Sequence, residues 1–246
     1  MKEVLEFDAE TKAAIAGMAD DAELRALTHR WLLATCKYKY SYLFSWLGRP
    51  IIQFPQDVMA MQEIIWQTRP DLIIETGVAH GGALIFYASM MELLGSAGHV
   101  VGVDIEIRPH NRVEIEKHPL FHRITLLEGS SIAESVVRQV CDLAKGRQSI
   151  LLALDSNHTH DHVLQELKLY SPLVTKGSYL VVFDTVIEEM PAEFFPDRPW
   201  GPGNNPRTAI GEFLKTNDRF QIDKDITAKL LLTAAPGGWL KCVKDS

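Results

Sequence analysis

Cysteine is scarce in this sequence: Cys36, Cys141 and Cys242 are the only three, and no two form a CxxC pair. That excludes a disulfide scaffold and a cysteine-held zinc or iron–sulfur site, and it suits reduced, incidental thiols in a cytoplasmic protein. Basic charge is also short. Twenty-five Lys and Arg stand against 32 Asp and Glu, a formal charge of −7, so there is no general basic face for nucleic acid. No uncharged apolar run approaches the roughly 20 residues of a membrane helix. The opening Met-Lys-Glu-Val-Leu-Glu-Phe-Asp lacks the basic-then-apolar plan of a signal peptide. The expected location is therefore cytoplasmic, with neither membrane nor nucleic acid as a partner. Internal repeats and low-complexity tracts are absent. Histidine is missing beyond position 162. Hydrolases with an HxHxDH signature need metal-binding histidines much later in the chain, so His158-x-His160-Asp161-His162 does not mark a dinuclear zinc hydrolase.

What is present describes an ordinary globular chain. Of its 246 residues 46% are hydrophobic and 23% charged, enough for one large α/β domain with an appendage. Residues 1–50 form the appendage and 51–246 the main domain. Positions 8–35 show helical spacing through Ala14, Ile15, Met18, Leu24, Leu27, Trp31 and Leu32. In Tyr38-Lys-Tyr-Ser-Tyr42-Leu-Phe44-Ser-Trp46 aromatics stand at every second position. That favours an extended segment, with a helical turn as the alternative, that packs on the main domain, walls an acceptor pocket or makes an oligomer contact, and a homo-oligomer is expected. Gly48-Arg-Pro50 breaks the chain, and Asp57 caps a helix through Trp66 that stops before Pro70. From there apolar runs at 72–76, 99–104, 123–127, 149–155 and 178–184 alternate with helical patterns at 82–94, 110–118, 132–145 and 159–171. This series predicts a doubly wound, mostly parallel α/β sheet covered on both faces. After a helix at 206–216, strand candidates at 220–222, 229–233 and 239–243 predict an antiparallel C-terminal edge.

Ligands of such sheets sit beyond the carboxyl ends of the strands, so the residues there decide the chemistry. Leu72-Ile-Ile-Glu75-Thr-Gly77-Val-Ala79-His80-Gly81-Gly82 runs strand, glycine turn, helix, which lets backbone N–H groups approach a ligand closely. Ala79 stands where a dinucleotide fingerprint needs its second glycine, and no Gly-Lys-Ser/Thr follows for a P-loop. Glu75 suits a ligand with an amine or positive charge. Asp104 ends the second strand 22 residues beyond Gly82, near the spacing of a carboxylate that takes ribose hydroxyls. Ser130 and Ser131 follow the third strand, where small side chains admit a flat base or cap a helix. The fourth and fifth strands end in Asp155 and Asp184. Adjacent parallel strands bring these two together, and hard oxygen ligands without cysteine suit Mg²⁺. The plainer reading has Asp155 capping its helix and Asp184 facing water. His158, three residues past Asp155, is placed to take a proton. His160 and His162 read as helix-surface or supporting groups. Prolines and glycines crowd residues 188–205, too many for a helix or central strand. This long connection reads as a lid over the acceptor, offering Arg198, Trp200, Asn204 and Asn205. Asn205-Pro206 is also a good N-cap and N1 pair.

Together these pieces resemble the cephalosporin hydroxylase/rhamnosyl O-methyltransferase family of class I S-adenosylmethionine (SAM)-dependent methyltransferases. The resemblance runs from Pro50 to Val243 through Gln53-Phe-Pro55, Arg69-Pro-Asp71, Glu75 to Gly82, Asp155-Ser-Asn-His158, Val182-Phe-Asp184 and Gly203-Asn-Asn-Pro206. It implies a seven-stranded sheet, Mg²⁺, and methyl transfer from SAM to a hydroxyl of a sugar or glycosylated small molecule. It further implies that Gln53, Glu75, Gly77, Ala79, His80, Gly81, Asp104, Ser130 and Asp155 hold SAM. Asp155 and Asp184 would bind the metal, with His158 and Asp155 as the catalytic groups. The more distant catechol O-methyltransferases follow the second carboxylate with an asparagine ligand, and Thr185 takes that place here. Two other readings stay open: a SAM-binding protein without transferase activity, and a literal hydroxylase. The latter would need His158, His162 and Asp155 as the two-histidine, one-carboxylate triad of an iron oxygenase.

Overall fold

The structure is a computed structural model and describes residues 2–245. It opens with α1 (Lys2–Asp20) and α2 (Ala22–Cys36). The single helix expected over 8–35 is broken at Asp21, whose backbone is extended and whose Oδ1 accepts from Leu24 N at 2.8 Å, a side-chain N-cap. The aromatic run combines both readings, a helical turn and then an extended strand. A 3-10 turn at Tyr40–Tyr42 leads into a hairpin of β1 (Phe44–Trp46) and β2 (Arg49–Ile51). The hairpin turns at Leu47-Gly48, both at positive φ, as the right-handed twist of the strands demands. Next, α3 (Pro55–Thr68) begins two residues before the expected cap, with Pro55 in its first turn. Asp57 is consequently inside the helix and buried, accepting from Thr233 Oγ1 and from Ala234 N.

The alternating series follows as expected: β3 (Leu72–Thr76), α4 (Gly82–Leu93), β4 (His99–Asp104), α5 (Pro109–Glu116), β5 (Ile124–Glu128), α6 (Glu134–Ala144), β6 (Ile150–Leu154), α7 (His160–Tyr170) and β7 (Tyr179–Val182). The tail is α8 (Pro206–Thr216), β8 (Phe220–Ile222), α9 (Lys224–Leu230) and β9 (Trp239–Cys242). Residues 229–233 are thus a helix end and a turn rather than a strand. Ile226 and Leu230, four apart, form a helical stripe that packs against the core, and this local pattern overrides the apolar run.

Seven strands form one sheet in the order β5-β4-β3-β6-β7-β9-β8. From β5 to β7 the neighbours are parallel, and β9 is antiparallel to both β7 and β8. The chain winds outward from β3 to β5 and returns to β6 on the other side of β3. The topological switch point therefore lies between β3 and β6. Alternate strand residues serve opposite layers. Ile73, Val100, Leu151 and Val181 pack with α3 and α4, while Leu72, Ile74, Val101 and Leu152 pack with α6, α7 and α8. Burial on both faces is why these strands read as unbroken apolar runs. The N-terminal helices are not detached: α1 packs on α9, and Leu32 of α2 joins Phe54, Val186 and Leu232 in a small cluster. Among the described residues no helix is long and apolar enough to cross a membrane.

Candidate active site

The glycine loop starts where β3 ends. Gly77, at φ 97°, lies against the end of β6 so closely that a Cβ would stand 2.6 Å from the Asp155 carbonyl carbon. Only glycine admits this approach. Ala79 is held at φ 46°, a conformation L-residues rarely adopt unless their surroundings impose it. Asp104 imposes it here. Its Oδ2 accepts from Val78 N at 2.8 Å and Ala79 N at 3.2 Å, and its Oδ1 accepts from Glu106 N at 3.1 Å. Beside the loop opens a cavity of about 500 Å³ lined by Gln53, Gly77, Ala79, Asp104, Ser130, Asp155, His158 and Asp184, among others. A recess of about 30 Å³ adjoins it and reaches Glu75. Glu75 is buried: its Oε1 accepts from the Tyr87 hydroxyl at 3.1 Å, and its Oε2 has no partner among the described residues. Burial pushes this carboxyl up to about 8. Neither polar atom of the buried Gln53 amide has a hydrogen-bond partner among the described residues.

The ladder between the strands continues past their ends and sets the carboxylates side by side. Asp155 N donates to Thr76 O at 2.8 Å, and Phe183 N donates to Leu154 O at 3.0 Å, which delivers Asp184 next to Asp155. Asp184 sits at φ 56°, again uncommon for a residue with a side chain. His158 Nε2 lies 3.2 Å from Asp184 Oδ2. One ligand atom from each of Asp155, His158 and Asp184 falls within 4.8 Å of the others. Burial, and then the charge of Asp184, hold the Asp155 carboxyl well above the usual carboxylate range. Trp200 meets the His158 ring edge-on at 4.8 Å, and the Arg198 guanidinium lies over Trp200 at 5.2 Å.

A glycine loop at the switch point, with a carboxylate pair and a histidine on the next two strands, is specific enough to compare with known proteins. The family model described as Rhamnosyl O-methyltransferase/CmcI matches residues 38–243. The chain belongs to this family. Its relatives include a rhamnosyl O-methyltransferase of Mycobacterium bovis (strain BCG / Pasteur 1173P2), 31% identical over 214 residues, covering 86% of this chain and 82% of the relative. Among solved structures, CmcI with Mg and SAM is similar at a TM-score of 0.59 and 18% identity, covering 82% of this chain and 78% of the other. The O-methyltransferase TomG from Streptomyces achromogenes, in complex with SAM, is similar at a TM-score of 0.55 and 13% identity, over 92% of each chain. These structural likenesses establish a shared fold.

Within this Rhamnosyl O-methyltransferase/CmcI frame, the expected residues fall into three groups. Gln53, Gly77, Ala79, Asp104, Ser130, Asp155, His158 and Asp184 surround the larger cavity, and Glu75 and His80 line the recess. Gly81 lies outside both, facing Ile115. Thr185, the further candidate metal ligand, directly follows Asp184. It is buried and donates to Pro236 O at 2.9 Å, because the chain enters a 3-10 turn directly after Asp184. The iron-oxygenase triad is not assembled: His162 Nε2 lies 3.0 Å from Ser131 Oγ, and His158 is the one histidine in the cluster among the described residues. In the lid segment, Trp200 reaches the site through His158. Asn204 Oδ1 accepts from His160 N at 2.9 Å. The buried Asn205 caps α8 in a capping box and bonds Glu188 and Gly201. His160 ties α7 to α8 through Thr208 at 2.8 Å. Sequence reasoning missed Leu32, Cys36, Ser156 and Asn157 as cavity walls. His162 also lines the cavity, from the first turn of α7.

Proposed function

We propose that this chain transfers a methyl group from SAM to a hydroxyl of a sugar or glycosylated small molecule, with a divalent cation, Mg²⁺, assisting. The observation that carries this reading is the convergence of Asp155, His158 and Asp184 within 4.8 Å of one another beside the glycine loop. The residues suit both groups. Two carboxylates this close repel, and an oxygen-rich, cysteine-free set favours a hard cation between them. Asp155 and Asp184 would hold it, and when bound it supplies the positive charge that lowers the pKa of an acceptor hydroxyl. Gly77, Ala79, Asp104 and Ser130 would line SAM, which supplies the electrophilic methyl. Its amino-acid end finds waiting partners in Glu75 Oε2 and the Gln53 amide. Leaving such atoms unpaired costs about 1–3 kcal/mol each, so a ligand that pairs them is favoured.

His158 takes the proton from the acceptor hydroxyl, and Asp184, whose Oδ2 lies 3.2 Å from the ring Nε2, stabilises the imidazolium that results. Trp200 fixes the ring plane. Residues 188–205 act as the lid that excludes water, anchored where Gly203 N donates to Glu188 Oε2 at 2.8 Å. Residues 1–50 complete the site from outside the main domain, through Leu32, Cys36 and Tyr42 in the cavity wall. A homo-oligomer belongs to the same proposal, since Tyr38, Leu43 and Leu47 are exposed apolar side chains that a second copy would cover. The rhamnosyl O-methyltransferase relative supports a sugar acceptor. The test is mass spectrometry of glycosides and nucleotide sugars incubated with the protein, SAM and Mg²⁺. A product heavier by one methylene supports the reading. SAM binding without any such product would instead favour a binding protein.

A further inference from the structure

We infer that a second cavity, next to the candidate active site along the same face of α2, binds a small amphiphilic anion: an apolar body carrying one carboxylate, sulfonate or phosphate. The cavity measures about 420 Å³, a size that encloses a small molecule. It lies between α2, α9, the start of α8 and the 3-10 turn at Thr185–Glu189. Its floor is apolar, built from Leu32, Val186, Leu231 and Leu232. Its rim is basic. Arg25, His29 and Lys224 line it, and none of their side chains has an ion pair or hydrogen bond among the described residues. Arg207 and the one carboxylate of the lining, Glu189, stand there too, already paired with each other.

Three unpaired cationic or potentially cationic side chains around one apolar hollow run against a composition of 32 acidic and 25 basic residues. The contrast with the neighbouring cavity sharpens the point, since that one carries Asp104, Asp155 and Asp184. Charge therefore sorts ligands between the two: an anion is attracted to the second cavity and repelled by the first. The Arg25 guanidinium offers a planar fork suited to carboxylate, sulfonate or phosphate oxygens, and the Leu-rich floor suits the apolar body. Leu32 and Val186 line both cavities, so an occupant would touch the same side chains that wall the candidate active site. None of this depends on the methyl-transfer reading.

The test uses the full chain and anilinonaphthalene sulfonate, an apolar ring system with one sulfonate, followed by its fluorescence. The neutral phenylnaphthylamine serves as a matched probe without the charge. Wild type is expected to bind the sulfonate saturably and to keep binding it in the presence of S-adenosylhomocysteine (SAH) sufficient to saturate the first cavity. The double variant Arg25→Gln with Lys224→Gln should raise the sulfonate Kd roughly tenfold or more. The neutral probe should stay within about twofold. Both positions are exposed, so the fold is expected to persist, which circular dichroism checks. Absent or non-saturable binding, an unchanged Kd in the double variant, or displacement by SAH would overturn the inference. Failure of SAH itself to bind would count against the methyl-transfer reading and leave this site standing.

Discussion

Replacing Gly77 with alanine asks whether the glycine loop and the end of β6 truly share one close contact. Two costs add. At φ 97° a residue with a side chain is strained, by about 1–3 kcal/mol. Its new Cβ would also stand 2.6 Å from the Asp155 carbonyl carbon and 3.1 Å from Ser156 N. Those are backbone atoms that cannot rotate aside, so the strand end must move, at a cost of about 1–3 kcal/mol. Together the substitution should cost roughly 2–6 kcal/mol, a large part of the ~5–15 kcal/mol that holds a domain folded. Gly177 separates the two contributions, because it has φ 86° but open space where a Cβ would go. Urea denaturation followed by tryptophan fluorescence should show Gly77→Ala losing at least about 1 kcal/mol more than Gly177→Ala. The displaced atoms belong to Asp155, so SAH affinity should fall only in Gly77→Ala. Equal stability losses in the two variants would show that the loop does not press on β6.

Thr185→Val should lose about 1–2 kcal/mol of stability, because Pro236 O loses its donor, yet keep its affinity for Mg²⁺ in calorimetric titration. Weaker metal binding at unchanged stability would make Thr185 a ligand. Stability should also depend on pH through Glu75, whose carboxyl rises from 4.5 to about 8 on folding, and Asp57, which rises from 3.8 to about 7. In these windows the folded state holds more protons than the unfolded state, so stability falls as pH rises and levels off above about 8. Glu75→Gln should remove at most about 5 kcal/mol of that fall, roughly 1.4 kcal/mol per pH unit between 4.5 and about 8. Denaturation of the ligand-free protein across pH 4–9 checks this, and an unchanged slope would mean Glu75 is ionised when buried. Asn205→Ala should cost about 1–2 kcal/mol and speed hydrogen exchange across residues 190–204, since the cap and the Glu188 bond are lost together. Unaltered exchange there would place the anchor of this segment elsewhere.

The parts of the fold that rest on local pattern were open to reading. Apolar runs alternating with helical spacing gave the parallel order, and that order alone brings Asp155 next to Asp184. Asn205-Pro206 marked the start of α8 to the residue, because a cap and a helix-compatible proline are both local signals. Contacts between distant residues were not legible. Asp57 looked like a cap, but its partners are Thr233 and Ala234, which lie at the far end of the chain. The break at Asp21 hid inside apolar spacing that continues on both sides of it. Leu230-Leu-Leu232 has strand composition, yet the tertiary fit of Ile226 and Leu230 makes its first residue the end of a helix. The same limit applies to the site. Residues that follow strands could be nominated, whereas Leu32 and Cys36 enter the cavity wall from a helix with no motif to connect it.

Whether Asp155 and Asp184 hold a cation that methyl transfer requires is answered most directly by a turnover assay with matched binding measurements. Rates are taken with Mg²⁺, after EDTA, and after Mg²⁺ is restored, in wild type, Asp184→Asn and His158→Ala. In wild type EDTA should abolish turnover and Mg²⁺ should recover it. Asp184→Asn should lose most activity while still binding SAM. His158→Ala should keep both SAM and metal yet run about 10²–10⁴-fold more slowly, the range for losing a general base. Full activity in EDTA, together with a His158→Ala rate near wild type, would contradict the proposed site and leave a metal-free transferase on the same fold.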